Sequence, residues 1–237
     1  MHLKKKFGQH FLKDPANAKR ISDAVKGWGG QYTQLIEIGP GGGVLTKFLV
    51  QNVSEKQSLT LVEIDRDLIE GLTKEYLKDG LSIDNIDFLK ADLRKIPSPF
   101  GVCGNFPYNI SSQILFRILE YREHVTEMVG MFQKEVAERV VAGHGNKTYG
   151  ILSVLVQAYF KTEVVFTLKP GAFNPPPKVD SMVIRLERFR DSIPDLNEAS
   201  FFKLVKAAFG QRRKTLRNSL ANFLGEKKND ENLDAIL

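Results

Sequence analysis

Residues 34–53, QLIEIGPGGGVLTKFLVQNV, hold a strand-to-helix turn. QLIEI is the right length and character for a buried strand. GPGGG stops it, and VLTKFLVQNV carries a helical apolar pattern. The unit then repeats with variations. LTLVEI (59–64) precedes the helical DRDLIEGLTKEYL, and the shorter runs IDFLKA (86–91) and FGVC (100–103) read as further strands. A helix from Ser111 to Tyr121 and the strand EMVGMF (127–132) follow. Upstream, Asp14 and Pro15 in DPANAKRISDAV form a helix start, with Ile21, Ala24 and Val25 on one face. Strand and helix alternating at this spacing predict a parallel sheet covered on both faces.

Beyond residue 150 the texture changes. YGILSVLVQAYF reads as a helix, and TEVVFTL (162–168) and SMVIRLERF (181–189) read as strands. The proline-rich KPGAFNPPPKVD between those strands cannot pair inside a sheet. With no helix between them the two should lie antiparallel, which makes the sheet mixed. From Pro194 the pattern is helical, in ASFFKLVKAAF and RRKTLRNSLANFL. The predicted division is a sheet domain over 1–190 and a small helical, basic domain over 191–237.

The chain has 237 residues and no apolar run of the roughly 20 residues that a membrane helix requires. MHLKKKFGQHFL lacks the apolar core of a secretory signal, so the expected location is the cytoplasm. A lone Cys103 excludes an internal disulfide, and the four histidines show no ligand spacing, so no metal is expected. Net charge is +6, and the excess is clustered. Lys203, Lys206, Arg212, Arg213, Lys214 and Arg217 occur without an acidic residue among them, and residues 1–13 carry Lys4, Lys5, Lys6 and Lys13. Such clusters suit a polyanionic partner, although a charge run is also what a solvated face looks like.

Glycines at 39 and 41–43 let the backbone approach a ligand, and the helix start behind them offers N–H groups to an anion. Glu63 ends the next strand, 20 residues after Gly43, where it can accept from ribose hydroxyls. Asp92 follows the third strand candidate and could take an adenine amino group, or simply cap a turn. These carboxylates suit a dinucleotide or S-adenosylmethionine. The dinucleotide fingerprint requires glycine at 44, where Val44 stands.

GNFPYNIS (104–111) ends the fourth strand. Asn105 and the carbonyl of Pro107 form an acceptor pair, and Tyr108 offers an aromatic face. That is what an exocyclic amino group of a base requires for its two N–H bonds and its ring. The amino nitrogen is a poor nucleophile while its lone pair is delocalised, and two rigid acceptors favour the pyramidal form. Its proton can leave to water as the methyl arrives, so positioning carries the catalysis. Asn109 and Ser111 are better placed than Asn105 to cap the helix that follows. Cys103 reads as a small buried residue rather than a nucleophile.

FGQHFLKD, EIGPGGGVLT, VEIDRDL, ADL, NFPYNIS, FNPPPKVDS and FGQRRKTLRNSL, in this order, resemble the ribosomal RNA adenine dimethyltransferases of the KsgA type across nearly the whole chain. The resemblance implies an α/β, Rossmann-like class I S-adenosylmethionine-dependent methyltransferase with a mixed seven-stranded sheet and a small all-helical C-terminal domain. It implies cofactor contacts at His10, Leu12, Gly39, Gly41, Glu63, Asp92 and Asn105. Catalytic roles fall on Asn105, Pro107, Tyr108 and Phe173, with Phe173 stacking on the target adenine opposite Tyr108. The implied reaction is dimethylation of N6 on two adjacent adenosines near the 3′ end of small-subunit ribosomal RNA, in the assembling subunit, by a monomer. Family members usually run further than NLDAIL, so the expectation is that the last helices of the RNA-binding domain are truncated in this sequence. Four alternatives share parts of the pattern: a large-subunit dimethylase, a DNA adenine methyltransferase, a non-catalytic RNA-binding assembly factor and a nicotinamide oxidoreductase.

Overall fold

The structure, a computed structural model, describes residues 10–77, 80–211 and 214–224, the side chains of 221–224 excepted. In chain order its strands are β1 (Phe11–Leu12), β2 (Gln34–Ile38), β3 (Ser58–Val62), β4 (Leu81–Asp84), β5 (Phe100–Asn105), β6 (Val125–Gln133), β7 (Phe160–Leu168), β8 (Phe173–Asn174) and β9 (Ser181–Arg188). The helices are α1 (Pro15–Asp23), α2 (Thr46–Leu49), α3 (Arg66–Tyr76), α4 (Ser111–Glu120), α5 (Lys134–Val141), α6 (Ile151–Gln157), α7 (Glu198–Gly210) and α8 (Leu216–Leu224). Asp14 caps α1 through Ala16 N, as its position before Pro15 predicts.

The main sheet runs β4-β3-β2-β5-β6-β9-β7. β4, β3, β2, β5 and β6 are mutually parallel, and β9 lies antiparallel between β6 and β7. β2 is buried along its whole length, as a strand covered by helices on both faces must be. Ile38 pairs with Val62, and Glu37 with Cys103. That register brings Gly39, Glu63 and Asn105, each at or just past a strand end, to one carboxyl edge, where open α/β sheets bind ligands.

One apolar cluster covers each face of the sheet. Ile114, Ile118, Val140, Leu155 and Tyr159 belong to one, and Leu12, Ile21, Leu49, Leu72 and Phe173 to the other. α7 packs Val205, Phe201, Phe202 and Phe209 against the first cluster. An ion pair joins Glu198, at the start of α7, to Arg122, and the Tyr159 hydroxyl donates to the same carboxylate at 3.1 Å. The first helix after residue 190 is therefore part of the sheet domain's packing.

The structure departs from the sequence reading in five places. The strand expected over 86–91 is instead β4, at Leu81–Asp84, and residues 88–90 form a 3₁₀ turn capped by Asp87. The helix expected over 44–53 is α-helical only at Thr46–Leu49 and continues as a 3₁₀ turn to Asn52. α5 was not foreseen, because KEVAERVV follows directly on the end of β6 without a break. β1 and β8 form a two-residue antiparallel pair, with Phe11 opposite Asn174 and Leu12 opposite Phe173. Finally, neither Asn109 nor Ser111 caps α4: its cap residue is Ile110, with no side-chain bond.

Candidate functional site

A cleft of about 240 Å³ opens at the carboxyl edge, between the glycine turn, the ends of β3 and β4 and the segment 105–110. Gly39, Gly41 and Gly43 all have left-handed backbone, with φ of 67°, 60° and 79°. At Gly41 the requirement is doubled, since an added Cβ would sit 2.6 Å from the Phe11 ring. The turn thus closes against the pair formed by β1 and β8.

Glu63 is buried beside the turn. Its Oε2 accepts from Gly41 N at 3.1 Å and its Oε1 from Asp65 N at 2.9 Å. Burial raises its pKa, opposed by these backbone bonds. Each oxygen keeps further acceptor capacity, as a diol ligand needs. Ile64 and Ile86 also face the cleft and are 47% and 42% exposed, unusual for large aliphatic side chains. A carboxylate beside an open apolar slot matches the sugar and the flat base of a nucleoside, so the residues present fit the S-adenosyl group. The sequence reading missed Ile64, Ile86 and Asp87, the last of which also lines the cleft. Ile64 could have been found, since it follows Glu63 directly, but the strand misplacement over 86–91 hid the other two.

Asn105 ends β5. Its Nδ2 donates to the carbonyl of His10 at 2.8 Å. Only the NH₂ end can donate to a carbonyl, so this bond fixes the amide orientation and leaves Oδ1 as the acceptor. The Pro107 carbonyl accepts from Ile110 N at 3.1 Å, which keeps the turn rigid and leaves its second lone pair. The Tyr108 hydroxyl bonds Ser181 Oγ at the start of β9, and burial raises the tyrosine pKa. The His10 ring lies 5.1 Å from the Tyr108 ring. His10 Nδ1 sits 2.8 Å from the carbonyl of Pro175, a pure acceptor, so Nδ1 carries the proton. Phe106 faces inward, 1% exposed, over Gly104 and Gly130. The two glycines leave the room that its ring occupies.

The structure therefore brings together His10, Leu12, Gly39, Gly41, Glu63, Asn105, Pro107 and Tyr108, all of which line one cleft. Two expected residues are not in it. Phe173 is fully buried among Leu12, Met131 and Val183, because its pairing with Leu12 turns the ring into the core. It offers no face to a base. Asp92 lies in an adjoining cleft, across the wall formed by Val62, Ile86, Asp87 and Phe88. There its carboxylate pairs with Arg94 at 2.8 Å, which lowers its pKa. Cys103 is buried and its thiol pKa is raised well above the usual value, chiefly by that burial, as a packing residue requires. Among the described residues no group of three His, Cys, Asp or Glu could hold a metal ion, and no helix is long and apolar enough to cross a membrane.

Of the basic cluster, Lys203, Lys206 and Lys214 are exposed, Arg217 is half-buried, and Arg212 and Arg213 lie outside the described residues. Lys203 and Lys206 stand on α7, with Lys206 Nζ 5.9 Å from the centre of the Phe116 ring.

Strand order, glycine turn and cleft together define a class I S-adenosylmethionine-dependent methyltransferase. Comparison with known proteins narrows the class. The family described as ribosomal RNA adenine dimethylase matches residues 1–236. A protein of Cytophaga hutchinsonii named ribosomal RNA small subunit methyltransferase A is 52% identical over 220 residues, covering 92% of this chain and 83% of that protein. A protein of Flavobacterium johnsoniae with the same name is 50% identical over 92% of this chain and 82% of its own length. Among solved structures, a dimethyladenosine transferase from Plasmodium falciparum superposes with TM-score 0.75 at 30% identity, covering 89% of this chain and 74% of that one. The 23S rRNA methyltransferase ErmE gives 0.71 at 27%, covering 94% and 88%. The chain belongs to the ribosomal RNA adenine dimethylase family.

Proposed function

We propose that this protein transfers methyl groups from S-adenosylmethionine to N6 of two adjacent adenosines near the 3′ end of small-subunit ribosomal RNA, two to each, acting as a cytoplasmic monomer without a metal on the assembling subunit. Membership of the family supports an RNA adenine as the substrate. The identity of about half to relatives named for the small subunit, against 27% to ErmE, favours that subunit over the large one.

The cofactor supplies an electrophilic methyl group on a sulfonium. The chain supplies position. Asn105 Oδ1 and the Pro107 carbonyl accept the two N6 hydrogens, Tyr108 gives the adenine one face, and the N6 proton leaves to water as the nitrogen becomes acidic. Gly39, Gly41, Glu63 and Leu12 hold the cofactor. His10 holds Asn105 through its carbonyl. Asp92 bears on the adenine of the cofactor, not on the target base, from the adjoining cleft across the wall of Val62, Ile86, Asp87 and Phe88. The observation that carries the reading is the hydrogen bond from Asn105 to His10, which commits the amide oxygen to accepting. Residues 1–190 form the methyltransferase domain and 191–237 the RNA-binding part, with Lys203, Lys206, Arg212, Arg213, Lys214 and Arg217 contacting phosphates.

Labelled cofactor should label small ribosomal subunits that lack the modification, with dimethyladenosine recovered on nucleoside analysis. Asn105→Ala should reduce turnover by at least about 100-fold, the scale of a lost transition-state acceptor, while cofactor affinity stays close to wild type. Labelling confined to large-subunit RNA would transfer the assignment to the other subunit, and full turnover by the variant would remove Asn105 from the chemistry.

A further inference from the structure

Glu37 lines the same cleft and takes no part in the chemistry above. It stands one residue before the end of β2, 1% exposed. Its Oε2 accepts from the Thr46 hydroxyl of α2 at 2.7 Å. The titratable groups that act on it come from three other elements. Glu63 lies beyond β3, the Cys103 thiol is on β5 directly opposite in register, and the Tyr76 phenol is on α3. None of them is a cation. Two buried carboxyls therefore border one cleft with no positive partner among these groups, an arrangement that burial makes costly when both are charged. Burial, reinforced by Glu63 and only partly offset by Thr46, pushes the Glu37 pKa up to about 8. Glu37 is thus largely a neutral acid at neutral pH, held in a cleft that receives a cationic cofactor.

We propose that Glu37 is a proton-coupled charge sensor: binding of a sulfonium ligand in the cleft expels its proton to solvent, and the carboxylate left behind selects the sulfonium cofactor over its neutral thioether product. The step is an acid dissociation in which the O–H bond of Glu37 breaks, the proton goes to buffer, and nothing is oxidised or reduced. The thioether lacks the sulfonium charge and draws off a smaller share of the proton. Product therefore leaves a site that has become neutral again on reprotonation, which suits an enzyme that must exchange cofactor between successive methyl transfers. The inference rests on the cofactor reading of the cleft given above.

Isothermal titration calorimetry of the whole chain tests it, with S-adenosylmethionine and S-adenosylhomocysteine as separate ligands in buffers of different ionisation enthalpy. Binding of the sulfonium should release protons, and its Kd should fall by up to about 30-fold from about pH 5.5 to about pH 7, the limit of roughly tenfold per pH unit for one obligatory proton. The thioether should show a shallower slope and a smaller release. Glu37→Gln keeps the acceptor for Thr46 but cannot ionise, and it should flatten the sulfonium slope and bring the two affinities closer together. No proton release by the wild-type chain overturns the proposal without requiring any variant to fold. A sulfonium slope no steeper in wild type than in Glu37→Gln overturns it as well. If neither ligand binds at any pH, it is the cofactor reading that fails.

Discussion

Gly130→Ala is a substitution outside the cleft lining that should nevertheless disable transfer. Gly130 lies mid-strand in β6, beside Gly104 of β5. A Cβ there would fall 1.9, 2.7 and 2.8 Å from three carbons of the Phe106 ring. Non-bonded carbons rest at about 3.5–4.0 Å, so the ring must retreat by roughly 1.5 Å or the strand must move. Retreat is restricted by Phe132, whose ring meets Phe106 edge-on at 5.2 Å. Overpacking of this kind costs about 1–3 kcal/mol, and in a domain of this size that lowers Tm by roughly 2–12 °C. Phe106 sits between Asn105 and Pro107, so its displacement moves both acceptors. A misplacement of about 1 Å at a reacting group costs on the order of 100-fold in kcat. Single-turnover methyl transfer, thermal unfolding and cofactor titration together read the effect: slow transfer, lower Tm, and near-normal cofactor affinity, since Glu63 and the glycine turn sit on other strands. Gly143→Ala, with nothing within 4 Å of the added carbon, is the matched control. Adding Phe106→Leu to Gly130→Ala should restore part of the stability, and the double-mutant cycle measures that coupling. Wild-type transfer and Tm in Gly130→Ala would show that the ring does not set the position of the acceptors.

Two further substitutions test the core. Phe173→Ala should cost about 3–5 kcal/mol in denaturant unfolding, because the ring is fully buried; a loss of kcat with stability intact would instead return Phe173 to the adenine-stacking role. Glu127→Gln should cost about 3–5 kcal/mol, since Glu127 is fully buried, pairs with Arg185 and accepts from the Tyr32 hydroxyl at 2.6 Å and Gly27 N at 2.9 Å. A loss below about 1 kcal/mol, the range of exposed pairs, would mean that solvent reaches the network.

The sheet was legible because its strands are short apolar runs that end in turn residues, and burial on both faces leaves little room for other patterns. β2, β5 and β9 fall within a few residues of their expected bounds. β4 did not, because LSID is no more apolar than the run after it and Asp87 converts that run into a capped 3₁₀ turn. That single misplacement also hid Ile86 and Asp87, which line the cleft. The acceptor geometry was legible at Asn105, Pro107 and Tyr108, which are local in sequence. What holds them was not. The bonds from Asn105 to His10 and from His10 to Pro175 span 95 and 165 residues, and a two-residue strand such as β1 leaves no periodicity to detect. Phe173 shows the same limit: a proline-rich loop gave no sign that pairing with Leu12 would turn its ring inward.

The β1–β8 pair makes catalysis conditional on completed folding. Contacts of such long sequence separation require the chain to close a large loop before they return any free energy. A chain in which only the central parallel strands have assembled can already possess the glycine turn and Glu63, but Asn105 has no His10 carbonyl to orient it. Such a chain could bind cofactor without spending it. The orientation of the acceptor amide thus depends on a segment near the start of the chain that is itself tied to residues some 160 positions later.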